Sequence, residues 1–159
     1  MIYDRPFIPE SVPLNIKSDD RGFGIYDIFG ELLERMGLDF NQGQINVTTT
    51  YRNAKRAWHM HEKQYDLIAV VKGEAIIVIW RVNPRIKEIE SRRFVIGEHS
   101  PKIIVIPPGW WHGFAPVNDE PFTMVYFVSE KYNPRDPDEK RTKFGEELPE
   151  VPSLEVEVK

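Results

Sequence analysis

The segment HMHEKQYD, residues 59–66, places two of the chain's four histidines two positions apart, with a carboxylate five residues after the second. Imidazole and carboxylate groups so spaced can hold a transition metal through nitrogen and oxygen. They can also move a proton near neutral pH, because imidazole titrates there. The bland alternative is a pair of ordinary strand residues. If residues 56–61 form a strand, its period of two puts His59 and His61 on one face and Trp58 and Met60 on the other. A third imidazole, His112, stands in PPGWWHGF. His59, His61, Asp66 and His112 are therefore a candidate metal set, suited to Fe, Mn, Ni, Zn or Cu. The chain has no cysteine, which excludes disulfides, a thiol nucleophile and thiolate metal sites.

These residues need elements to position them. QINVTTTY is rich in β-branched residues. DLIAVVKG and EAIIVIWRV flank Lys72-Gly73 and read as a hairpin. KEIESRRFVI, KIIVIPPG and FTMVYFVS read as further strands, the last with Phe122, Met124, Tyr126 and Val128 on one face. YDIFGELLERMG predicts a helix over residues 27–37, with Ile28, Leu32 and Met36 stacked and Gly37 as its stop. The tail EELPEVPSLEVEVK reads as a last edge strand or a frayed end. Many short strands with turns between them predict an all-β fold, a jelly-roll barrel with one short peripheral helix. The chain reads as one domain over residues 1–159, with a barrel core near 40–130 and a polar, proline-containing tail near 133–159.

Net charge is −4 and the isoelectric point about 5.6, so neither nucleic acid nor an anionic membrane is the expected partner. The start, MIYDRPFIPE, lacks the apolar stretch of a secretory signal, and the longest apolar run, AIIVIW, is too short to span a bilayer. The expectation is a cytoplasmic protein.

The histidine spacing resembles the cupin superfamily. Its first motif, H-x-H followed by an acid and a glycine, matches His59-Met60-His61, Asp66 and Gly73. Its second, P-x-G-x-x-H, matches Pro107-Pro108-Gly109-Trp110-Trp111-His112. Asp66 stands where the superfamily has glutamate.

A longer resemblance, over about residues 18–140, is to the dTDP-4-dehydrorhamnose 3,5-epimerase family, a metal-free cupin branch. It rests on DDRGFGIYDIF, on Gln44-Ile45-Asn46, on RAWH at 56–59, on GWWHGF, and on VYFVSEKYNP. This resemblance implies epimerisation of a nucleotide-linked 4-keto-6-deoxy sugar through an enolate, with no cofactor. It implies His59 as the base and Tyr126 as the proton donor on the opposite face. It further implies Arg21 and Arg56 near the diphosphate, Gln44, Asn46, His112 and Tyr132 in the pocket, and a homodimer. Without it, the two arginines read as surface charge and Tyr126 as a core aromatic.

Several positions depart from that family. Asp66 stands where the family has a lysine beside the ketone, and a carboxylate there would repel a developing oxyanion. His61 replaces a glutamine and Tyr26 a glutamate. The acid that orients the base has no clear counterpart, Glu146 and Glu147 being candidates. Two other functions stay open: a metal-dependent cupin enzyme, such as a dioxygenase or isomerase, and a non-catalytic sugar-binding barrel. A metal ligand cannot also be the base, so the two chemistries compete for His59.

Overall fold

A computed structural model describes residues 5–143 and 148–156. The strands are β1 (Glu10–Pro13), β2 (Ile16–Asp19), β3 (Gly22–Ile25), β4 (Gln44–Thr50), β5 (Arg56–Met60), β6 (Asp66–Lys72), β7 (Glu74–Val82), β8 (Ile89–Gly97), β9 (Lys102–Ile106), β10 (Trp111–Pro116), β11 (Phe122–Val128) and β12 (Lys140–Arg141), with one α-helix, α1 (Gly30–Met36). They form two five-stranded antiparallel sheets, ordered β1-β9-β6-β11-β4 and β12-β5-β10-β7-β8, and a small hairpin, β2-β3. This is the all-β jelly roll with one peripheral helix that the strand spacing predicts.

The most apolar segments become the most buried strands. β6 and β7 are covered on both faces along most of their length, as near-continuous hydrophobic runs require. Between the sheets, Ile68, Ile104 and Met124 from one meet Ile77, Ile79 and Phe114 from the other. Behind the first sheet, Leu32, Leu33 and Met36 of α1 pack on Leu67, Val105 and Phe127. Burying each such side chain contributes about 1.5–3 kcal/mol. Behind the second sheet, Val151 and Leu154 pack on Trp58, Ile76 and Val78.

Three local expectations need correction. The Lys72-Gly73 turn does not close a hairpin: β6 pairs with β9 and β11, and β7 pairs with β8 and β10. The turn carries the chain from one sheet to the other, with Gly73 at φ 74°, a left-handed conformation that glycine adopts freely. The helix starts at Gly30, because Asp27 sits at φ 49°; its Oδ2 instead accepts the Glu31 N–H at 3.3 Å. The stop at Gly37 is as expected, left-handed at φ 63° with its N–H bonded back to the helix. Finally, the described residues of the tail, 148–156, form no strand. Among the described residues the last strand is β12, at the edge beside β5.

Candidate active site

The two histidine motifs meet through backbone register. β10 pairs with β5, with His112 opposite His59. Gly109, at φ 84°, turns the PPGWW segment so that its N–H donates to the His61 carbonyl at 2.7 Å. His59 lies on β5 and His61 just beyond its end. Both imidazoles look into a cavity of about 870 Å³ between the sheets. Asp66, the first residue of β6, and Tyr126, on β11, reach the same cavity from the opposite sheet. Gln44, Asn46, Arg56, His112 and Tyr132 also line it. Arg21 does not: its guanidinium forks onto Asp19 within the β2–β3 turn, at 2.6 and 3.2 Å.

His59 Nδ1 lies 2.9 Å from Glu139 Oε1. A carboxylate only accepts, so Nδ1 carries the proton and Nε2 is left with its lone pair. Glu139 is held in turn by Arg141, whose Nε and Nη2 donate to its other oxygen at 3.2 and 3.0 Å. Burial opposes ionisation of Glu139, but Arg141 and His59 hold its carboxyl below the usual range. Glu139 is thus the acid behind the histidine. Glu146 and Glu147, the candidates from the sequence, lie outside the described residues. The available signal was the acidic run DPDEKR, which the two-residue pairing of β12 with Met60 and His59 draws against β5.

The neighbouring residue, Asp138, closes the other side. Its carboxylate accepts the backbone N–H groups of Glu62, Lys63 and Gln64 at 2.8–3.0 Å. Its carbonyl accepts His61 Nδ1–H at 2.5 Å. Residues 138–141 therefore address both histidines of the HMH motif.

Asp66, His61 and His112 make a separate group. His112 donates Nδ1–H to the Trp110 carbonyl at 3.2 Å. With both imidazoles spending Nδ1–H on carbonyls, each turns Nε2 towards Asp66 Oδ2, at 3.5 Å from His61 and 3.6 Å from His112. In the neutral tautomers, two lone pairs and an anionic oxygen would converge in a buried place, which demands a positive charge. A proton or a divalent cation can supply it. Burial works against a protonated His61, but its bond and charge contact with Asp66 win and raise it to about 9. Burial pushes His112 down to about 4, against the pull of Asp66. Burial would raise Asp66, yet His61, His112 and Gln64 hold it below its ordinary value.

Among the described residues this group of three is the one whose donor atoms suit a metal, all within 4.8 Å of one another. His59, expected as a fourth ligand, is outside it. Its ring centre is 6.4 Å from that of His112, and it is engaged with Glu139. The expected competition for His59 therefore dissolves, because His59 is not among the candidate ligands.

Tyr126 stands across from Asn46 in the β4–β11 register. Burial raises its phenol above the ordinary value, helped by Asp66; the Asn46 hydrogen bond and Arg56 work in the other direction. Burial and Asp66 outweigh the other two, so the net shift is upwards.

Residues 25–140 match the family described as polysaccharide biosynthesis C-terminal domain. The chain belongs to that family. It is 36% identical over 132 residues to the spore coat polysaccharide biosynthesis protein SpsL of Bacillus subtilis, covering 82% of this chain and 84% of SpsL. It is 32% identical over 135 residues to the probable low-salt glycan biosynthesis epimerase Agl13 of Haloferax volcanii, covering 82% and 83%. Among solved structures, a double mutant of the 3'-monoepimerase ChmJ of Streptomyces bikiniensis, in complex with dTDP, superposes with a TM-score of 0.75 at 20% identity, over 98% of this chain and 82% of that chain. That likeness is one of fold: the two chains share the jelly-roll barrel. No helix among the described residues is long and apolar enough to cross a membrane.

Proposed function

We propose that the chain is an epimerase acting on a nucleotide-linked 4-keto-6-deoxy sugar. One observation carries this reading: a His59–Glu139 pair and the Tyr126 phenol face one cavity from opposite sheets. A carbon beside a ketone loses a proton once the enolate is stabilised. His59 Nε2 takes that proton, and the C–H electron pair becomes the enolate double bond. Tyr126 then returns a proton to the same carbon from the other face, the carbonyl re-forms, and the configuration is inverted. Solvent restores both groups. Gln44, Asn46, Arg56, His112 and Tyr132 are the substrate-binding residues of this reading. Arg56 is anchored by Nε–H to Thr50 Oγ1 at 2.8 Å and Nη2–H to the Thr49 carbonyl; its remaining donors suit a phosphate. A homodimer and a cytoplasmic location belong to the same reading. β4 is a sheet edge with Ile45 and Val47 exposed, and it carries none of the charges or prolines that guard lone edges.

The test is deuterium incorporation. In D2O, the protein is expected to exchange the hydrogens flanking the ketone of dTDP-4-keto-6-deoxy-D-glucose and to invert at least one of those carbons, both read by NMR. Absence of exchange at every carbon would reject the reading.

The converging Nε2 atoms at Asp66 favour a metal-assisted form of the site. His61, Asp66 and His112 would hold a divalent transition metal, which would polarise the ketone where the resembling family has a lysine. Element-resolved analysis of the purified protein should then find about one metal per chain, and Asp66→Asn should lose it. Equal metal content in both proteins would exclude a site on these residues.

A further inference from the structure

Gln44 and Asn46 lie two apart on β4, so they share a face, and that face lines the cavity. We propose that they form a relay of fixed direction that aims the Tyr126 proton into the cavity, Gln44 and Asn46 being positioning residues rather than substrate contacts alone. This rests on the reading of Tyr126 as proton donor.

The direction is set by a group that has no choice. The Tyr132 backbone N–H can only donate, and it bonds Gln44 Oε1 at 2.9 Å. That orients the Gln44 amide, which carries one acceptor and one donor end. Its Nε2 must face Asn46, and it donates to Asn46 Oδ1 at 2.9 Å. Asn46 is oriented in turn. Its oxygen is occupied, and its NH2 is left for the Tyr126 phenol, which stands opposite Asn46 in the β4–β11 register and lines the same cavity. The phenol oxygen therefore accepts. Its own proton is not captured by Asn46 and is free for a substrate carbon. After transfer, the tyrosinate oxygen keeps the Asn46 donor. The charges around this phenol are Asp66 and Glu139, which oppose the tyrosinate, and Arg56, which favours it.

Gln44→Glu should reverse the relay. The new carboxylate still accepts from Tyr132, but it draws the Asn46 NH2 to itself and turns the Asn46 oxygen towards the phenol. The phenolic proton is then held back. Exchange needs only the base, whereas inversion also needs the donor, so the two separate the effects. With dTDP-4-keto-6-deoxy-D-glucose in D2O, Gln44→Glu should lower inversion about tenfold more than exchange, the worth of one misdirected hydrogen bond. Tyr126→Phe should shift the same ratio in the same direction. The double variant should be no worse than Tyr126→Phe alone, because the relay has nothing left to aim. Gln44→Met, which keeps the length but removes both the acceptor for Tyr132 and the donor to Asn46, should shift the ratio in the same direction and provides a second variant whose fold is checked by circular dichroism.

Equal loss of exchange and inversion in both Gln44 variants, or effects that multiply with Tyr126→Phe, would overturn the relay and make Gln44 a direct binding or structural residue. A ratio unmoved by Tyr126→Phe would overturn the donor reading and the relay with it. A ratio moved by Tyr126→Phe but not by Gln44→Glu would overturn the relay alone.

Discussion

His59→Ala is expected to lower deuterium incorporation next to the ketone by about 10²–10⁴-fold, the usual contribution of a positioned general base. The loss should be this large because no other imidazole can take over. His61 and His112 line the same cavity, but each spends Nδ1–H on a carbonyl and turns Nε2 onto Asp66. His59 differs in having its partner, Glu139, behind it. The loss should fall on exchange and inversion alike, since both begin with proton removal. This distinguishes it from Tyr126→Phe, in which exchange outlasts inversion. Free imidazole in the buffer should restore part of the exchange, because the cavity of about 870 Å³ has room for it. Retention of more than about a tenth of wild-type exchange by His59→Ala would remove His59 from the role of base.

The parts of this site fixed by side-chain period were readable in the sequence. His59 and His61 share a face because strands alternate, and the proline and glycine before His112 announce the turn that brings it to them. The fold class was readable for the same reason. What could not be read was pairing between distant segments. A Lys-Gly turn looks the same whether it joins neighbours in one sheet or passes between two sheets, so Lys72-Gly73 does not reveal which it does. Glu139 reaches His59 across 80 positions, through a strand of two residues with no periodicity to show. Val151 and Leu154 sit among prolines and acids and gave no sign that they would pack on Trp58. Arg21 shows the converse. Without the resemblance it reads as surface charge, and it is an exposed residue paired with Asp19.

The positions that break the epimerase pattern also become coherent. Asp66 beside a developing oxyanion would oppose the reaction if it stood alone. It does not stand alone: His61 and His112 bracket it, and together they call for a positive charge beside it. Under the proposed function, Asp66 and His61 therefore work as a pair. Neither half makes sense by itself, because a lone buried carboxylate or two facing imidazole lone pairs would each be costly.

Glu139→Gln is expected to damage the reaction more than Glu139→Ala, an inversion of the usual order for conservative and truncating changes. The reason is Arg141. It donates from both Nε and Nη2 to Glu139 Oε2, and a guanidinium has no acceptor. A glutamine amide placed there must give its oxygen to Arg141 and therefore its NH2 to His59. His59 Nδ1 would then have to accept, which moves the ring proton to Nε2, the atom that should remove the substrate proton. Forcing the wrong tautomer in a histidine–acid pair lowers turnover by about 10⁴-fold in the serine protease precedent. Alanine imposes no tautomer. It costs orientation and charge support only, about 10²-fold by the same reasoning about positioned bases. Freeing the amide to turn should therefore rescue it: Glu139→Gln combined with Arg141→Leu is expected to exchange deuterium faster than Glu139→Gln alone. Nitrogen-15 shifts of His59 supply a readout independent of turnover, with the proton on Nδ1 in wild type and on Nε2 in Glu139→Gln. If glutamine outperforms alanine, and Arg141→Leu slows the glutamine variant further, then Glu139 does not set the tautomer of His59.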